Sequence, residues 1–130
     1  MSNVLVHRGW IAIESRRLAW EKAIGESRWP HFGMRWSWYR NVARWSSTAW
    51  EPLLLEACWG DKPLGFVPLL AHRERPTWIS PNLLTGIGPA VVIGREITAT
   101  WLRIVASLEN LLPPDGSLQL GPFDLRSGVA

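Results

Sequence analysis

The chain has 130 residues, 47% of them apolar and 19% charged, with a net charge of +3 and a pI near 9.8. That composition folds as one domain with its own core and excludes a disordered chain. No run of eighteen apolar residues argues for a transmembrane helix, and Met1-Ser2-Asn3-Val4 opens no basic-then-apolar leader, so the cytoplasm is the expected compartment.

Val4-Leu5-Val6 is a short β-branched segment that predicts a first strand. Residues 15–25 read as a helix, with Trp20, Ala23 and Ile24 near one face and Gly25 as its stop. Trp29-Pro30-His31-Phe32-Gly33 is a break, and residues 35–46 form a second helix with Trp38, Val42 and Trp45 at i, i+4, i+7. A hairpin follows: strands at 53–59 and 64–70 joined by a turn at Gly60-Asp61-Lys62-Pro63. Leu53, Leu55, Ala57 and Trp59 point one way, Leu54, Glu56 and Cys58 the other, so both faces are largely apolar and the hairpin lies between two layers. Pro68 cannot donate to a ladder and marks a bulge, a strand end or an edge.

Thr77-Trp78-Ile79 predicts another short strand, and Ala90–Ile93 a further one. Ile97, Trp101, Ile104, Val105, Leu108, Leu111 and Leu112 recur at steps of three and four, which gives a helix over 95–112, stopped by Pro113-Pro114. A last strand starts at Ser117 after an Asp115-Gly116 turn, and 126–130 read as a loose tail. The fold class is α+β (mixed α/β): a small, mostly antiparallel sheet with a central hairpin packed by helices, in one domain.

Ten tryptophans are present, seven of them between Trp10 and Trp50, and their helical spacing favours packing over a ligand platform. The positive charge is nearly all arginine and is spread along the chain rather than striped, which speaks against nucleic-acid binding and for attraction of small anions. Arg73 and Arg75 after a strand end could grip a phosphate or carboxylate. Arg35 and Arg40, interleaved with Trp38, form a second anion-and-ring surface. These five residues are the candidate substrate contacts. His7, His31 and His72 have no paired spacing, so no metal site is expected, and Cys58, the lone cysteine, reads as a small buried apolar residue. Glu56, within an apolar strand, would be a raised-pKa base if buried, although such a residue more often reaches solvent. Gly86-Ile87-Gly88-Pro89 lacks the third glycine of a dinucleotide fingerprint.

Trp20, then Pro30-His31-Phe32 leading into Trp38, then the hairpin ending Val67-Pro68-Leu69, then a basic loop, Gly86-Ile87-Gly88, and a helix followed by Gly116-Ser117-Leu118-Gln119-Leu120 form a pattern over roughly residues 15–125. This pattern resembles the N-terminal half of the FemAB-like and cellulose-biosynthesis-type acyltransferases, within the GNAT-like acyl-CoA N-acyltransferase fold. The resemblance implies acyl or aminoacyl transfer to an amine. In that fold the donor is held mainly by the later half, at backbone amides and a helix N-terminus. No matching glycine loop before a helix occurs in this chain, so no catalytic residue carries over. Acetyl-CoA or another acyl donor is expected to bind only when a C-terminal half, a partner or a second copy completes the fold. Arg40 lies near where some relatives meet a nucleotide-sugar phosphate. The other expectations are a non-catalytic tryptophan- and arginine-rich module that binds carbohydrate, peptide or its own copy, and a truncated reading frame without activity.

Overall fold

The computed structural model describes residues 2–26, 36, 39–41, 49–79, 92–93, 97–112 and 115–119. Strand β1 (Ser2–Arg8) leads into helix α1 (Trp10–Glu14) and helix α2 (Arg17–Glu26). The central hairpin is β2 (Trp50–Trp59) and β3 (Lys62–His72); β2 begins before the predicted 53 and ends at Trp59 as predicted, while β3 is longer at both ends than the predicted 64–70. Short strands β4 (Thr77–Ile79) and β5 (Val92–Ile93) precede helix α3 (Ile97–Leu111) and strand β6 (Ser117–Gln119). The predicted helix at 15–25 proves to be the second of two. Gly25 does not stop it but lies inside α2, where a Cβ would meet nothing. Of the helix predicted over 35–46, Trp36 and Tyr39–Asn41 are helical and the rest lies outside the described residues.

The strands form one six-stranded sheet in the order β1-β2-β3-β4-β6, with β5 paired to β3 beside β4. All pairings are antiparallel except β4 with β6. A parallel pair needs a crossover, and α3 supplies it. The hairpin turns on two residues, with Gly60 at φ +59 in the first position, where two-residue turns of this kind take glycine. One step later the register shifts: Ala57 faces Gly65 but Cys58 faces Pro63, so Leu64 is the extra residue of a bulge.

The expected alternation of faces holds. Leu53, Leu55, Ala57, Val67, Leu69, Ala71 and Trp78 pack against Ile104 of α3, with Leu108, Leu111, Leu112 and Leu118 around them. Leu54 and Phe66 on the opposite face pack against Ile13, Trp20, Ala23, Trp36 and Tyr39. The sheet is thus covered on both sides, which is why nearly every residue from Leu53 to Ala71 outside the turn is buried.

Three prolines sit inside these strands, and the ladder shows how. The Gly9 amide donates to the Pro52 carbonyl at 3.1 Å, so Pro52 turns its polar atoms towards the place where β1 has already ended. Backbone groups alternate sides along an antiparallel strand. Counting from Pro52, Leu53 faces β3 and its partner Leu69 faces β2, so Pro68 faces the outer edge of β3. β4 pairs with that edge at Leu70–Ala71 and β5 at Gly65–Phe66, and Pro68 lies in the gap between them. Its missing N–H leaves that gap without a donor. The bulge is at Leu64, so of the roles open to Pro68 the structure selects an edge position.

Candidate functional site

Gly9, at φ +80, turns the chain from β1 back over the sheet, and its carbonyl accepts the Ile13 amide to start α1. Two residues then separate α1 from α2. The Arg16 amide donates to the Ile13 carbonyl at 2.9 Å, and the Arg16 carbonyl accepts the Trp20 amide at 3.0 Å. This corner is anchored at both helices, and it aims the Arg16 side chain down at the sheet.

Its target is Glu56, whose side chain is 0% exposed. Arg16 Nε donates to Glu56 Oε1 and Nη2 to Oε2, both at 2.7 Å, a side-on bidentate pair. His7, on the same face of β1, lies 2.8 Å from Oε1 through Nε2. An ionised carboxylate only accepts, so His7 carries its proton on Nε2 toward Glu56. His7 and Arg16 remain 17% and 31% exposed, which leaves Glu56 as the one member wholly cut off from water.

Burial alone would push the Glu56 carboxyl up. The hydrogen bonds from Arg16 and His7, with the attraction of both, outweigh burial and hold it below its ordinary value. This corrects both sequence expectations for Glu56: it is neither solvent-facing nor a poised base, but a locked anion. Cys58, two residues along on the same face, is buried as expected. Burial, then the Glu56 charge and hydrogen bond, push its thiol up to about 11, so it is not a nucleophile near neutral pH.

The second polar element is aromatic. Trp20 stacks on Tyr39 with ring centroids 5.8 Å apart and meets Phe66 at 5.6 Å, while Trp36 stands edge-on to Trp20 at 5.4 Å. Trp10 closes the cluster against Trp36 and Tyr39. The Tyr39 hydroxyl donates to the carbonyls of Leu69 at 2.9 Å and Leu53 at 3.2 Å, two residues directly opposite in the hairpin. Of the tryptophans whose side chains are described, only Trp59 is exposed, at 54%, with the Arg103 guanidinium 4.7 Å from its ring centroid. Packing is therefore the main use of the described tryptophans.

The candidate substrate residues are distributed as follows. Arg73 and Arg75 share the exposed turn between β3 and β4, where the His72 Nδ1 accepts the amides of Glu74 and Arg75 at 3.1 Å. Arg73 Nη1 lies 3.6 Å from Glu51, and Arg8, which the sequence pattern did not single out, donates to the same carboxylate at 3.2 Å. The register supplies the missing signal: Arg8 ends β1 opposite Leu53, two residues from Glu51. This end of the sheet thus carries Arg8 and Arg73 on one glutamate, with Arg75 in the same exposed turn as Arg73. Arg40 is half-buried, and its Nε has no partner among the described residues. Arg35 and Trp38 lie outside the described residues. Among the described residues no group of histidine, cysteine and carboxylates has metal-binding geometry, and no helix is long and apolar enough to cross a membrane.

No protein-family model, curated protein or solved structure matches the chain.

Proposed function

We propose that the chain forms the front portion of an N-acyltransferase-like domain, completed by a donor-gripping half or partner. The observation that carries this reading is the topology. An antiparallel run from β1 to β4, with helices on one face, is followed by a crossing helix on the other face and a strand parallel to β4.

In the proposed reaction the nitrogen of an amine acceptor attacks the acyl carbonyl carbon. The N–C bond forms, the C–S bond to the carrier breaks, and the thiolate takes up the proton the amine gives away. Positioning and carbonyl polarisation supply the rate. Arg73 and Arg75, with Arg8 beside them, are the proposed contacts for an anionic acceptor group, and Arg35, Trp38 and Arg40 remain its further candidates. Glu56 takes no part in proton transfer; its anion holds the layer above the sheet.

The test is thiol release from acetyl-CoA across a panel of amine acceptors, on this chain and on any longer polypeptide or complex that contains it. The buried, unreactive Cys58 keeps the background low. Amine-dependent release supports the reading. No release from either form, together with no shift in melting temperature at millimolar acetyl-CoA, sinks it.

One observation favours a second reading, a non-catalytic binding module: the exposed indole of Trp59 beside Arg103 at the hairpin tip is a stacking surface for a sugar or planar ring. Carbohydrate-dependent quenching of tryptophan emission that disappears in Trp59→Ala would favour that reading over the first.

A further inference from the structure

We infer that the outer edge of β1 pairs with β1 of a second copy, joining two sheets across a two-fold axis at Leu5. Edge strands of monomers are blunted by charged side chains, above all lysine, by proline, bulges or shortness, or by a covering helix or loop; the one arginine of β1, Arg8, stands at its end and is held by Glu51. β1 runs seven residues, Ser-Asn-Val-Leu-Val-His-Arg, in unbroken register with β2, and contains no lysine and no proline. The prolines and the bulge of this sheet lie in β2 and β3, away from the edge that would need them. Among the described residues nothing pairs with the far side of β1. Two of the exposed large apolar side chains, Leu5 at 40% and Val6 at 36%, stand there side by side, one on each face.

The ladder then selects the register. The Gly9 amide binds the Pro52 carbonyl, so by alternation His7, Leu5 and Asn3 turn their backbone groups to β2. Ser2, Val4, Val6 and Arg8 turn theirs outward. In a two-fold antiparallel pair, outward groups must meet outward groups, which restricts the axis to pass through a residue rather than between two. Of these arrangements, the one centred on Leu5 engages the whole strand: Ser2 faces Arg8, Val4 faces Val6, and Leu5 faces its own copy. No like charges are opposed, because Arg8 meets a serine and is further neutralised by Glu51 of its own chain. Apolar residues fill the centre, and both sheet faces continue across the axis. This inference does not rest on the acyltransferase reading: dimer mass and cross-linking decide it whether or not thiol release is found.

Sedimentation and light scattering of the intact chain at tens of micromolar test it, with an expected mass about twice 14.7 kDa. Leu5→Lys places two ammonium groups opposite each other and is expected to halve the mass with an unchanged far-UV circular dichroism spectrum. Leu5→Cys, in a directly opposed pair without mutual hydrogen bonds, is expected to form a disulfide-linked dimer on mild oxidation. Val4→Cys, whose own copy lies diagonally away, is not. A monomeric wild type overturns the inference. So does a dimer that survives Leu5→Lys and shows no Leu5→Cys cross-link.

Discussion

The two faces of the β2–β3 hairpin are equally buried and differently built. The face under α3 is held by aliphatic packing around Leu55, Val67, Leu69 and Ile104. The face under α1 and α2 combines an aromatic cluster with a buried ion triad, Glu56, Arg16 and His7. Aliphatic packing is non-directional and tolerates many arrangements of comparable volume. A bidentate ion pair tolerates one, so it specifies where the α1–α2 corner sits on the sheet. Replacing such a triad by apolar residues can be neutral for stability, and its distinctive contribution on this face is to position rather than to stabilise.

The sharpest way to break the contrast is Arg16→Ala. It strands a carboxylate that cannot reach water, and urea denaturation is expected to show a loss of about 3–5 kcal/mol. Glu56→Gln is expected to cost less, because Arg16 is 31% exposed and can turn to solvent. Equal losses in the two variants would contradict this asymmetry. The triad also makes its face sensitive to pH. The folded Glu56 pKa lies below its ordinary 4.5, so its contribution is complete above that value and lost as pH falls through the folded pKa. Melting temperature is therefore expected to fall below about pH 4.5 more steeply in the wild type than in a triple Arg16→Met, Glu56→Leu, His7→Leu variant.

On the aliphatic face, Leu55→Ala is expected to cost about 2–5 kcal/mol through lost burial and the cavity left behind. The loss should be the same at pH 7 and pH 4, since the cluster itself is built of apolar side chains. A pH-dependent loss would show that the two faces are coupled. Tyr39→Phe comes next, at about 1 kcal/mol. The carbonyls of Leu53 and Leu69 lose a shared donor but keep their ladder partners, since the two residues face each other in the hairpin. The smallest effect is expected for Trp59→Ala, about 0.5–1 kcal/mol, the value of an exposed cation–aromatic contact with Arg103. A larger loss would mean that the hairpin tip packs against more than Arg103.

Some of this was legible in the chain itself. The hairpin faces, the short strand at Thr77-Trp78-Ile79 and the α3 stripe follow from periods of two and of three to four, which depend only on neighbours in sequence. Cys58 as an inert buried thiol followed from its apolar strand. The candidate site was not legible in the same way. Arg73 and Arg75 are placed in one turn by local sequence, but Arg8 joins them through strand pairing across the sheet.

Glu56 marks the boundary between the two kinds of information. Sequence alone determined that it sits in an apolar strand, on the face shared with Leu54 and Cys58. Whether it became a base, an exposed acid or a fixed anion was decided by Arg16, forty residues away, and His7, forty-nine away. A side chain's charge state is set by what surrounds it in space, and no local period records which distant donors the fold brings there. The place of β1 has the same origin: a strand is written in its residues, but being last in the sheet, as β1 is among the described residues, is a property of the sheet.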